Sequence, residues 1–156
     1  MTKKSQAQAF FDALIDNLAI DEEKAYGKGV PFECLPWGTL MIHYAGTSNK
    51  AHMKALKDLF EKVDGKKLTD EEAAQNEAEL YANTIIVGIL DPKGKPITYD
   101  DEAKAACAAA LVKLPNVFSK VRVAANNEAN FRVSRDKENA KNSARSSSST
   151  KNGDRT

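Results

Sequence analysis

Few residues in this chain are equipped for covalent or metal chemistry. Its 156 residues include two histidines, two cysteines and one tryptophan, and aromatic residues make up 7%. Metal ligands usually come as clusters at short fixed spacing, and His43, His52, Cys34 and Cys107 form no such cluster. No metal and no cofactor are therefore expected. Cys34 and Cys107 also have no partner at redox spacing, so two free thiols in a reducing cytoplasm fit better than one structural disulfide. Cys34 has no base implied beside it, and no Gly-x-Ser-x-Gly element is present. Gly27-Lys28-Gly29 and Gly65-Lys66-Lys67 lack the Gly-x-x-x-x-Gly-Lys-Ser/Thr spacing that lets backbone amides wrap a phosphate. No run approaches the ~20 apolar residues of a spanning helix. Lys3-Lys4 lead into Ser-Gln-Ala-Gln, with charge returning at Asp12, so no signal peptide is expected. The formal charge of +1 gives no strong pull toward nucleic acid or membrane. With no catalytic constellation in view, the chain is expected not to be an enzyme.

What is present is a series of helix signals around one extended stretch. Ala7, Phe10, Phe11, Leu14, Ile15 and Leu18 fall on one face of a helix that Ser5 can cap. Such a face is either core or a partner surface. Phe10, Phe11 and Leu14 are therefore candidate partner-binding residues. Gly27, Gly29, Pro31, Pro36 and Gly38 exclude a long helix over 21–47, while Val30–Leu35 and Thr39–Ala45 are rich in strand formers. A β-hairpin turning at Pro36-Trp37-Gly38 follows. A lone hairpin is marginal, so this one must pack on helices. Trp37, at or beside the turn, either folds back into the core or projects outward as a contact residue.

Four further helices are predicted. One is capped by Ser48 or Asn49 and carries Met53, Leu56, Leu59, Phe60 and Val63 until Gly65 ends it. The next opens with a capping box, Thr69 with Glu72, and places Ala73, Ala74, Leu80, Tyr81, Thr84 and Ile85 on its face. It runs into Ile85–Leu90, an apolar stretch in which periodicity cannot separate helix end from strand. Asp91–Pro96 is a turn by composition. Asp100 caps an alanine-rich helix with Asp101 and Glu102 in its first turn, so helix capping accounts for this acidic cluster as it does for Asp70–Glu72. Pro115 interrupts it and suits the first turn of a last helix bearing Val117, Phe118, Val121, Ala124, Ala125 and Phe131. The expected fold is mainly α, with about five helices and a small antiparallel hairpin.

Charge is unevenly placed. Of 23 basic and 22 acidic residues, seven and three fall in 132–156, which leaves 16 and 19 in the preceding 131 residues. The chain thus reads as a mildly acidic helical domain, 1–131, and a basic tail, 132–156. The tail is rich in Ser, Asn and Lys and has almost no large apolar residue, so it is expected to be disordered.

The second half carries an ordered set of signals: the apolar Thr84–Leu90, then Asp91, Gly94, Pro96 and Tyr99, the cap at Asp100, the Leu114-Pro115 break and a closing Phe131. This order resembles the tail assembly chaperones of long-tailed bacteriophages, and the Leu40–Tyr44 strand with its Asn49-led helix is similar to their first half. The resemblance covers about residues 28–131. It departs at Ile89-Leu90, where many members place a tryptophan, and residues 1–20 have no counterpart. The resemblance implies a late phage protein in the host cytoplasm that binds the tape measure protein, keeps it soluble and helps tail tube protein polymerise around it. It would leave before the virion is complete. Such families often make a longer, frameshifted product, and the tail lies where the two products would diverge. Two other readings stand beside it. One is a small head–tail or tail completion protein of the virion. The other is a nucleic-acid-binding protein acting through the basic tail, which the acidic body opposes.

Overall fold

Helix ends in this chain are written in its capping residues, and they set the order of the fold. The computed structural model describes residues 5–133. Ser5 accepts from the Gln8 amide and starts α1 (Gln6–Leu18). Asp21 caps a short α2 (Glu22–Tyr26) that the glycine-rich stretch had concealed. The hairpin follows as β1 (Val30–Cys34) and β2 (Gly38–Ile42). Asn49, the nearer of the two expected caps, opens α3 (Lys50–Val63). The reciprocal Thr69–Glu72 box opens α4 (Asp70–Thr84). After β3 (Ile86–Leu90) and β4 (Pro96–Ile97), Asp100 caps α5 (Asp101–Lys113) and Pro115 stands first in α6 (Pro115–Asn126). Asn127 caps a final 3₁₀ turn, Glu128–Phe131. Phe131 therefore sits on its own turn rather than at the end of the last helix.

The apolar Ile86–Leu90 run is a strand because β2 supplies a ladder for it. The four strands form one antiparallel sheet in the order β1-β2-β3-β4, so the expected hairpin is the first half of a larger sheet. Asp91 closes the β3–β4 turn, its carboxylate accepting from the amides of Lys93 and Lys95, with Gly94 at φ +82°. Register places Phe32, Leu40, Ile89 and Ile97 in one row across the sheet, with Val30, Ile42 and Ile86 in the next. Side chains alternate along each strand, so both rows face the same side. A bulge opposite Met41 and Ile42 lets Val87 slip from the ladder and keeps Ile86 on that inner side.

The core lies between this inner face and α4, α5 and α6. Ile42 and Ile86 cluster with Ala78 and Tyr81 of α4, Ile85 just after it, Leu111 of α5, and Phe118, Val121 and Ala125 of α6. Tyr81 packs edge-on against Phe118, and its hydroxyl accepts from Asn126. Tyr99, after β4, donates its hydroxyl to the Ala82 carbonyl at 2.5 Å. Phe131 closes the opposite side against Tyr44, and its carbonyl accepts from the Asp21 amide at 2.7 Å. The chain stays packed through the bridge between Ile20 and Arg132. Beyond Val133, the predicted basic tail lies outside the described residues. Phe60, counted with the core stripe of α3, instead projects into solvent.

Candidate functional site

α1 has no buried residue. Its apolar stripe has no buried member: Phe10, Phe11 and Ile15 are 60%, 55% and 63% exposed, with Leu18 and Leu14 partly so. Phe10 and Phe11 meet edge to face, with ring centroids 5.3 Å apart. Asp12 and Asp16 are its charged residues, and it carries no lysine or arginine. A helix of about this length is marginal in water without a packing surface.

Trp37 is the second exposed apolar feature. The β1–β2 turn holds a cis Leu35–Pro36 bond, and the Trp37 amide donates to the Cys34 carbonyl at 2.9 Å. This turn projects the indole outward, 80% exposed, beside an exposed Leu35. α1 is rooted at the open end of the first hairpin, where Ile20 bridges Arg132 and the Tyr44 amide bonds the Ala25 carbonyl. Trp37 stands at the closed end.

A third feature is a cleft of about 380 Å³ between the sheet and α5. Cys34, Leu40 and Ile89 line it from the sheet, Ala103, Ala106, Cys107, Ala110 and Leu111 from α5, and Leu114 and Val117 from the start of α6. It exists because α5 turns its small residues toward the sheet, where larger ones would have filled the space. Sequence reading marked α5 as alanine-rich but could not show that its small face opposes a sheet. Burial pushes the Cys34 and Cys107 thiols up, away from the reactive thiolate form. Both are free and serve as apolar lining.

The remaining polar groups are structural. His43 donates Nε2–H to the Gly27 carbonyl at 2.7 Å and fixes the α2–β1 connection. His52 is buried on α3 against the Tyr81 ring. Thr84 commits its hydroxyl proton to the Leu80 carbonyl, so its oxygen accepts from His52 Nδ1 at 2.8 Å. Burial lowers the His52 pKa below the ordinary histidine value. Below an unfolded pKa near 6.5, the unfolded chain gains a proton that the folded chain resists. Stability should therefore be full above that pH and fall as pH drops toward the folded value, by at most about 1.4 kcal/mol per pH unit from this group. Melting curves from pH 7.5 to 5 should show His52→Gln losing less stability over the interval than the parent chain. Equal losses would assign the effect to other groups.

Among the described residues, no three His, Cys, Asp or Glu residues are placed to hold a metal ion. Among the same residues, no helix is long and apolar enough to cross a membrane. What the geometry offers is apolar contact surface. Residues 45–142 match the model of a family described as YdaY prophage protein. The match begins after α1, α2 and the first hairpin. No curated protein and no solved structure matches the chain.

Proposed function

The chain belongs to the YdaY prophage protein family, and from that premise we propose that this phage-derived protein is a tail assembly chaperone and not an enzyme. Its client is the tape measure protein, a long helical chain that exposes apolar surface before tail tube protein encloses it. The observation that carries this reading is α1, a capped helix whose entire apolar stripe is open to solvent. A stripe at i, i+3, i+4 and i+7 spacing fits side by side against an amphipathic client helix, the arrangement of coiled-coil and helix-in-groove recognition. Phe10, Phe11 and Leu14 supply the anchors, and large aromatic anchors account for much of the energy in such interfaces. Trp37, at the other end of the hairpin, offers a second point of contact along an extended client. Release before virion completion suits contacts that are apolar and few.

Coexpression in the host cytoplasm tests the proposal. The full chain should raise the soluble yield of the tape measure protein several-fold over expression of that protein alone. An unchanged yield beside intact, folded chain would remove the chaperone function. Purified virions should lack the chain by peptide mass spectrometry. Its stable presence there would favour a tail completion protein.

A further inference from the structure

α3 is held to the body by its first turn. Asn49, buried just before the helix, donates its side-chain amide to the Tyr44 carbonyl at 2.8 Å and accepts from the His52 amide at 3.1 Å. His52 is the one buried residue of α3, and its Nδ1–H reaches Thr84 on α4 at 2.8 Å. Past that turn the packing thins. Among the described residues, none that forms the hydrophobic core cluster, or packs half-buried against it, comes from α3. A gap of about 240 Å³ opens between α3 and α4, lined by Ala55 and Leu59 from the one and Leu80 from the other. At its far end α3 stops before Gly65, at φ +70° with nothing within 4 Å of where a Cβ would stand. The anchor is a titratable group, and its surroundings favour the neutral ring. Thr84 has committed its proton to the Leu80 carbonyl, so a proton added at His52 Nε2 would charge a buried ring whose Nδ1 already has its acceptor. From α4 the titratable group facing it is Tyr81, with ring centroids 5.8 Å apart and a pKa that burial raises. Near Tyr81, α6 presents Arg122, paired with Glu77 at 3.1 Å. Asp58, Lys62 and Glu79 line the gap further along the two helices. Burial, rather than any of these charges, lowers the His52 pKa.

We propose that α3 is a strap latched by His52, which comes away from α4 when the ring takes a proton while the sheet and the other helices stay packed. Above the ordinary histidine value of about 6.5 the strap is closed. As pH falls below that value, opening takes up a proton that the closed form resists. The opening constant then grows by up to about tenfold per pH unit, until the pH reaches the lowered value of the latched ring. A helix of this length is marginal in water once detached, so the open strap loses its helical hydrogen bonds. Opening uncovers Leu80 and turns the half-buried Leu56, Leu59 and Val63 out to solvent. The proposal does not rest on the chaperone reading.

Hydrogen exchange of the full chain, followed by NMR from pH 7.5 to 5 and corrected for intrinsic rates, tests it. At each pH the amides of residues 56–60 should be about tenfold less protected, or more, than those of β2 and α6, because α3 opens without global unfolding. Their protection should fall below pH 6.5, by up to about tenfold per unit. In His52→Gln the side-chain amide can still donate to Thr84 but takes no proton, so the α3 amides should keep one level of protection across the range. Thr84→Ala removes the acceptor and should cost the α3 amides roughly tenfold in protection at pH 7.5. Amides of α3 as protected as those of β2 and α6 would overturn the proposal, since the strap would then open only with the whole fold. So would protection in the parent chain that is flat with pH, an equal fall in the glutamine chain, or no loss on replacing Thr84. The parent chain alone decides the first two of these outcomes, whether or not the glutamine chain folds.

Discussion

Phe131→Ala should destabilise the fold by about 3–5 kcal/mol, the cost of removing a fully buried aromatic ring and leaving a cavity behind. The ring lies against Tyr44, and the backbone of its residue holds the Asp21 amide. Its 3₁₀ turn thereby ties the last helix to α2 and to the end of β2. The loss should therefore be global, lowering the melting temperature of the whole unit, rather than a fraying of the terminus. Chemical denaturation, with the change read from the midpoint at constant slope, gives the value. A change under about 1 kcal/mol would show that the turn is peripheral.

The second large effect is expected where stability should not change. Phe10→Asp with Leu14→Asp places two charges on a helix face that has no buried residue. Surface substitutions of this kind usually stay within about 0.5 kcal/mol each. A charge facing an apolar client helix is another matter, because it must be desolvated without a partner. The chain should thus melt normally yet lose most of its effect on tape measure solubility. Normal melting with an undiminished effect would move the client surface away from α1, with Trp37→Ala the next variant to measure.

The four long helices after the first hairpin or within the second half were legible because each opens on a cap or a proline: Asn49, Thr69 with Glu72, Asp100 and Pro115. These are local signals, set by the hydrogen bonds that the first turn of a helix lacks. The strand at Ile86–Leu90 was not legible, since a continuous apolar run has no period and its state depends on β2 lying alongside. α2 was missed because five residues are too few for periodicity, and the glycines after it dominated the reading. The α1 stripe was plain from spacing, but spacing does not say what covers a face. Only the packed structure shows that none of its described residues is buried. The cleft was beyond reach of sequence reading, because it joins Cys34 to Cys107 across the sheet–helix interface.

The account stands on apolar contact between α1 and a helical client. Its most direct test is copurification of the full chain with coexpressed tape measure protein, followed by light-scattering mass measurement of the eluted complex. The account predicts a soluble complex containing both proteins, retained in high salt, and lost when Phe10 and Leu14 are replaced by aspartate. A tape measure protein that stays insoluble, or one that copurifies equally with the aspartate chain, would contradict it.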